Sequence, residues 1–309
     1  MVTGLAVAPE FIDELVDRFL HRIVRADRAR PTGLNASEGW DSVTRDGATQ
    51  DDLTGDAVTG DGESDAVVGA DFADQVFSGE RWIGRRFVDC RFTDADLRGL
   101  VTERCEFTEC DFSRADLGES VHRGSALRAC VFTRSTLTGA SLVACSLLGS
   151  QFTDCRLRPI TITDTDLTLT SLGGADLRET DLAGLRMREA NLVGADLRGS
   201  SLRGADLSGA RLSGARLEGA DLRGTDLAGL RMREANLVGA DLRGSSLRGA
   251  NLSGARLSGA RLEGADLRDA VLEPTGLTTA RLAGARVDVA IAVGFARAHG
   301  LLVDLTGAD

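Results

Sequence analysis

From Phe72 to Val287 a large apolar residue recurs at every fifth position without a slip. The series runs Phe72, Phe77, Trp82, Phe87, Phe92, Leu97, continues through Leu177, Leu182, Met187 and Leu192, and ends at Leu282 and Val287. Of its 44 positions only Thr102 and His122 are not apolar. Two residues ahead of each central position stands a small side chain, as at Ala175, Ala190, Ala195, Ala205 and Ala210, with Ser, Thr or Cys elsewhere. The unit reads Ala-Asp-Leu-Arg-Gly at 195–199, 220–224 and 240–244. A period of five is neither the 3.6 of a helix nor the 2 of a strand. A fixed short period predicts a solenoid. Four units close one square coil, with the large and the small residue inward and the other three outward or at the corner. Backbone groups of one coil then pair with the coils on either side, at about 4.8 Å per coil. Forty-four units make eleven coils, about 53 Å of axis at that spacing.

Departures from the ladder predict local structure. Eight of the eleven Phe lie on it before residue 153, so the solenoid is expected to be wider at its N-terminal end. Gln75, Glu80 and Arg85 fall on the small inward position, where unpaired polar groups are costly. The first coil is therefore expected to be frayed, with well-formed coils from about Cys90. Pro159 has no N–H to give to a ladder and belongs at a corner, with a cis bond open to it. Residues 180–223 and 225–268 differ only at Asp206 and Asn251. Their offset of 45 residues is nine units, so the second copy is expected a quarter revolution round the axis and about 11 Å further along it. A solenoid tolerates such a duplication because each coil needs only its neighbours.

Three flanking segments complete the organisation. Residues 1–30 carry an amphipathic helix over 9–30, with Phe11, Ile12, Leu15, Val16, Phe19, Leu20, Ile23 and Val24 in one stripe, acids early and arginines late. This helix could cap the solenoid, self-associate or dock a partner. Residues 31–71, rich in Gly, Asp, Thr and Ser, are expected to be a disordered acidic linker. In the last segment, 288–309, Asp288 is placed to cap a short helix from Val289 to His299 that Gly300 ends.

The repeat resembles the pentapeptide-repeat family, whose fold is a right-handed quadrilateral β-helix. The off-pattern stretches are more specific: 119–127 (ESVHRGSAL), 155–160 (CRLRPI), 172–177 (LGGADL), 285–289 (ARVDV) and 298–300 (AHG). They resemble the branch of that family whose members confer fluoroquinolone resistance as DNA mimics that modulate DNA gyrase. The resemblance implies a cytoplasmic homodimer joined end to end by the C-terminal helix, through Val289, Ile291, Val293, Phe295 and Ala296. It also implies gyrase as the protein partner. The binding residues are then expected in the most acidic stretch, at Asp89, Asp94, Asp96, Glu103, Glu106, Glu109, Asp111, Asp116 and Glu119, nine acids against four Arg over 89–119.

Charge and composition narrow the alternatives. The net charge is −11, and residues 1–80 hold 17 acids against six bases, while 81–309 hold 30 of each. A solenoid that is neutral as a whole argues against direct binding of nucleic acid, and any mimicry of DNA must be local. No apolar run is long enough for a membrane span, and the first residues show no basic region followed by an apolar one. All six cysteines, at 90, 105, 110, 130, 145 and 155, occupy the small inward slot and read as free apolar filler, without metal or disulfide. The three histidines lie far apart, and His122 reads as a hydrogen-bonded core residue. There is no nucleophile elbow, phosphate loop or metal-ligand spacing. Neither enzymatic activity nor a cofactor is expected. The reading that competes with gyrase modulation is a scaffold solenoid for an unrelated protein partner.

Overall fold

The computed structural model describes residues 66–304. The helix expected over 9–30 and the linker up to residue 65 lie outside the described residues.

Each rung of the ladder lies over the rung four units before it. Trp82 pairs with Thr102 and Thr102 with His122, so four units close one coil. On one face ten successive parallel bridges run from Asp71–Arg91 to Asn251–Val271, each joining one coil to the next. The central residues behind this first face are Phe72, Phe92 and so on to Leu272. A second face carries Phe77 and its successors, a third Trp82 and a fourth Phe87. Short strands form only on the third and fourth faces, in the N-terminal coils. On the fourth face β1 (Val67–Val68), β3 (Arg86–Val88), β5 (Glu106–Thr108) and β7 (Ala126–Arg128) make one parallel sheet. On the third face β2 (Arg81–Ile83), β4 (Val101–Glu103), β6 (Val121–Arg123), β8 (Ser141–Val143) and β9 (Thr161–Thr163) make the other. Beyond Thr163 the same pairing continues as single bridges.

Side-chain chemistry separates the two local forms. Where Asp or Asn precedes the central residue, its carboxylate or amide oxygen accepts the backbone N–H two residues on. Ser113 N–H donates to Asp111 at 2.8 Å and Gly118 N–H to Asp116 at 2.9 Å. This side-chain turn bends the chain at once. None of β2 to β9 starts with Asp or Asn, and β-branched residues such as Val101, Val121 and Thr161 keep the strands extended.

The core is the ladder. Phe92, Phe112, Phe132 and Phe152 stack face to face with centroids 4.5–4.9 Å apart and planes within 5°. Phe87 lies on Phe107 in the same way at 5.0 Å. Further on, Leu197, Leu202, Leu242 and Leu262 are wholly buried. Nearly every corner has its second residue after the central one in the left-handed region, Pro159, Pro274 and Thr279 being the exceptions among the described coils. Gly fills it through most of the C-terminal half, and Asp89, Arg104, Glu109 and Arg114 are among the non-glycines that hold it at φ 52–59°. Gly209 needs its missing side chain twice over: φ is +72°, and a Cβ would lie 3.1 Å from Cγ of Glu189.

The duplication has the expected geometry. Asp181 bridges Ser201 on the third face, and the copied pair Asp226–Ser246 bridges on the fourth. Likewise the Asp196–Arg216 ion pair, 3.2 Å, recurs as Asp241–Arg261, 3.4 Å, one face round.

Two expectations are corrected. The first coil is not frayed. β1 pairs Val67 with Phe87, five residues before the ladder's expected start and inside the stretch assigned to the linker. The polar groups there are accommodated individually: Gln75 is exposed, and Glu80 accepts the Trp82 indole N–H at 2.8 Å. Near the other end the unit at Pro274–Leu277 is a 3-10 turn. Val287, the last expected rung, is 37% exposed. The expected C-terminal helix is present: α1 spans Val289–Ala298, with Asp288 accepting from Ile291 N–H at 2.9 Å. Ile291 is buried in the core of its own chain and Phe295 packs against that core. The helix lies on the Pro274–Leu277 turn so closely that a Cβ on Gly294 would be 2.5 Å from Pro274 Cγ. It closes the end of its own solenoid. The Arg158–Pro159 bond is cis.

Candidate functional site

The nine acids of 89–119 do not form one surface. The coil distributes them over all four faces, and arginine answers five of them. Arg114 Nε donates to Asp94 at 2.7 Å and Arg98 Nε to Asp96 at 2.8 Å. Those guanidinium groups hold both carboxyls below the usual carboxylate range. Arg81 pairs with Glu103 at 2.8 Å and Arg86 with Glu106 at 3.4 Å, and Asp116 lies 3.9 Å from Arg98. Exposed pairs of this kind stabilise little, but they use up charge that a partner would need.

Asp89, Glu109, Asp111 and Glu119 have no such arginine among the described residues. Three of them converge. Asp89 and Glu109 occupy the same corner in successive coils, and Asp111 stands beside it on the first face. With Asp71, Arg91 and Cys90 they line a shallow pocket of about 410 Å³. Asp71 is matched there by Arg91, whose Nε donates to it at 2.9 Å. The left-handed backbone at Asp89 (φ 52°) and Glu109 (φ 57°) throws both carboxylates out from the corner. Glu119 sits alone at a different corner. This selection follows a rule visible in the sequence once the coil length is known. An acid is neutralised when Arg stands two places along, as Arg98 does for Asp96, or on the adjacent coil, as Arg114 does for Asp94. Arg91, which stands in those relations to Asp89 and Asp111, donates to Asp71 instead.

The five residues expected to join two chains also divide. Val289 is 70% exposed, Val293 and Ala296 are half-buried, and Ile291 and Phe295 belong to the chain's own core. Leu301, 60% exposed, and Leu302, fully exposed, extend the apolar end that Val289 begins.

The interior offers no chemistry to a substrate. His122 is wholly buried between Thr102 Oγ1, 2.8 Å from Nδ1, and Ser120 Oγ, 3.0 Å from Nε2. Ser125 Oγ contacts Thr102 at 2.9 Å and accepts the Cys105 N–H at 3.2 Å. Burial lowers the His122 pKa to about 4. The six cysteines are free and buried. Their thiols donate to backbone carbonyls, as Cys105 does to Trp82 O at 3.3 Å. Hydrogen bonding with Cys130 and burial push the Cys110 thiol up to about 12. Thiolate is the reactive form, so native protein is expected to leave all six unreacted with a soluble disulfide reagent and to expose all six in guanidinium. Stoichiometric labelling of the folded chain would contradict this packing. Among the described residues no group of three or more His, Cys, Asp or Glu could hold a metal ion, and no helix is long and apolar enough to cross a membrane.

Comparison with known proteins matches two pentapeptide-repeat models, one over residues 103–182 and the other over 200–237 and 235–273. The pentapeptide repeat protein MfpA of Mycobacterium tuberculosis is 45% identical over 53 residues, 17% of this chain and 29% of that protein. The match thus spans less than a third of the relative's length. Among solved structures, QnrB1, a plasmid-mediated fluoroquinolone resistance protein, aligns with 78% of this chain and 98% of its own at 21% identity and TM-score 0.43. HetL, a pentapeptide repeat protein of heterocyst differentiation from the cyanobacterium Nostoc, aligns with 69% of this chain and 87% of its own at 26% identity and TM-score 0.26.

Proposed function

We propose that this chain, which belongs to the pentapeptide-repeat family, is a protein-binding solenoid of the cytoplasm whose partner is DNA gyrase, and that it alters the action of fluoroquinolones on that enzyme. The observation that carries the reading is the unmatched acidic corner of Asp89, Glu109 and Asp111. It presents carboxylates at about 4.8 Å intervals along a stiff support, against one DNA charge per ~1.7 Å of duplex axis. This is a patch of mimicry in an otherwise neutral body, so the corner can fill only a short part of a DNA-binding channel. The exposed end formed by Val289, Leu301 and Leu302 is where two copies would meet to offer such a corner to each half of a two-fold partner.

A specific observation favours the second reading, a scaffold for an unrelated protein: five of the nine acids are already matched by arginine. A gyrase supercoiling assay with purified full-length protein, with and without a fluoroquinolone, decides between them. The triple variant Asp89→Asn, Glu109→Gln, Asp111→Asn is expected to need about tenfold more protein for the same effect, because it loses charges that steer and hold a basic surface. Asn suits the left-handed corner at 89, so its melting temperature should match the parent's. An equally active triple variant would remove the corner from the site, and a parent protein with no effect on gyrase would leave the scaffold reading.

A further inference from the structure

The edge between the fourth and first faces carries more than the acidic corner. Its corner residues run Asp89, Glu109, Ala129, Gly149, Leu169 and Glu189, one to a coil. From Asp89 to Leu169 each donates its backbone N–H, at 2.8–3.1 Å, to the residue just ahead of the following corner. All six hold the left-handed backbone, and Leu169 does so at φ 59°. Every other non-glycine in that conformation among the described residues is Asp, Glu, Arg or Ala. A bulky apolar side chain there is an outlier. Nor is it placed to fill the core. Leu169 is 48% exposed, and Leu148, beside it one coil earlier on the fourth face, is 39% exposed. Strained residues persist where the rest of the fold holds them and function gives a reason to keep them.

The profile of this edge sets the leucine apart from the carboxylates. Ala129 has a single methyl group, and a Cβ added at Gly149 would meet nothing within 4 Å. The edge is therefore low over two coils and rises again at Leu169, with Glu189 on the next corner. The fourth-face position just before each corner and the first-face position two after it carry only four charges, on Arg91, Asp111, Arg128 and Arg188. Arg91 donates to Asp71 and Arg188 to Asp206, so Arg128, beside Ala129, is the one basic group that breaks the strip.

We propose that Leu169, with Leu148 beside it, is an apolar anchor for the same protein partner that the acidic corner engages. The inference rests on the gyrase reading above and adds the kind of surface that the partner must present. Basic groups lie opposite Asp89, Glu109 and Asp111, and an apolar pocket lies about 14 Å further along the edge, three coils on from Glu109. The two parts act at different stages. Exposed carboxylates steer the encounter, and an apolar side chain that leaves water on docking holds the complex together. Recognition is then more than electrostatic mimicry of DNA.

Binding of the full-length chain to purified gyrase, followed in real time over a range of salt, tests this division. Leu169→Gly should raise the dissociation rate about tenfold, through the apolar area it no longer buries. It should leave the association rate and its salt dependence as in the parent. The triple variant Asp89→Asn, Glu109→Gln, Asp111→Asn should do the reverse, slowing association and flattening its salt dependence, because salt screens steering. Glycine is the commonest residue at such corners, so L169G should melt no lower than the parent. Leu148→Thr, which copies Thr108 and Thr168 at the equivalent places on other coils, should also speed dissociation and decides the matter if L169G melts early. Dissociation of the folded variants at the parent's rate would overturn the anchor and leave the gyrase reading standing, as would an effect confined to association. A parent chain that does not bind gyrase would overturn that reading and the anchor with it.

Discussion

Replacing Leu197 by lysine is expected to break the solenoid. Leu197 is wholly buried, in a column with Leu177 below and Leu217 above, both also without exposure. The ammonium group would enter a channel whose walls are methyl groups and whose backbone is already paired: Leu197 N–H donates to Arg216 O at 2.8 Å and Asp196 N–H to Ala175 O at 2.9 Å. No carboxylate lies inside to receive it. A buried unpaired charge costs about 5 kcal/mol or more, comparable with the whole stability of a domain. Coils interact only with neighbours, so the damage should propagate from the break in both directions. The adjacent Arg198 gives the contrast. Its side chain lies outside and donates to Asp196 at 2.8 Å through Nε and 2.7 Å through Nη2. Removing that half-buried pair by Arg198→Gln should cost about 1 kcal/mol, since Arg216 still lies 3.2 Å from Asp196. Reversal to glutamate, harmless from the register alone, would set like charge beside Asp196 and is the poorer control. Melting followed by circular dichroism measures both, and equal melting temperatures for L197K and R198Q would refute the inward register.

Acidification should destabilise the protein through one interior residue. His122 is neutral in the folded chain down to about pH 4, its pKa lowered by complete burial. In the unfolded chain an ordinary histidine takes up its proton near 6.5. Between these values the unfolded state binds more protons, so stability falls as pH falls. The contribution is fully present above 6.5, is lost between 6.5 and 4, and is constant below. The difference amounts to about 3 kcal/mol at 1.36 kcal/mol per pKa unit. Leucine is what most of the ladder carries at this rung, and His122→Leu keeps the column filled. Denaturant unfolding at pH 7 and pH 4 should show the stability gap between parent and H122L shifting by about 3 kcal/mol towards the variant at the lower pH. Parallel pH profiles would mean that His122 is not the sensor.

The sequence exposed the coil because the inward positions admit so few residue types. Leu at every fifth place and Ala two before it fix period, register and the quarter-turn of the duplicate. The end coil escaped the same logic. Gln75 and Glu80 look prohibitive only if their side chains are left unanswered inside the coil, and in the fold one reaches solvent and the other meets an indole N–H. The surface was less legible. Nine clustered acids read as one patch along the chain, whereas the fold sends Asp96, Glu103 and Glu106 to three different faces. Their neutralisation depends on arginines of the adjacent coil, distant along the chain, or two places along the same coil. Ile291 shows a different limit. An apolar helix that ends a solenoid must bury its stripe, and periodicity does not say whether its own last coil or a second chain receives it.

The bridges that hold successive coils have a mechanical consequence. Each coil is fixed by short parallel pairings to the next, and the solenoid axis runs across those pairings. Tension applied at the two ends therefore loads the bonds one coil at a time and opens them like a zipper, in contrast to strands sheared along their length. Each four-unit coil released lengthens the tether by about 65 Å, the extended span of its chain less one coil spacing. The protein should thus behave under load as a ratcheted spring of low, regular force steps, giving way first at an end and re-coiling from the part that remains.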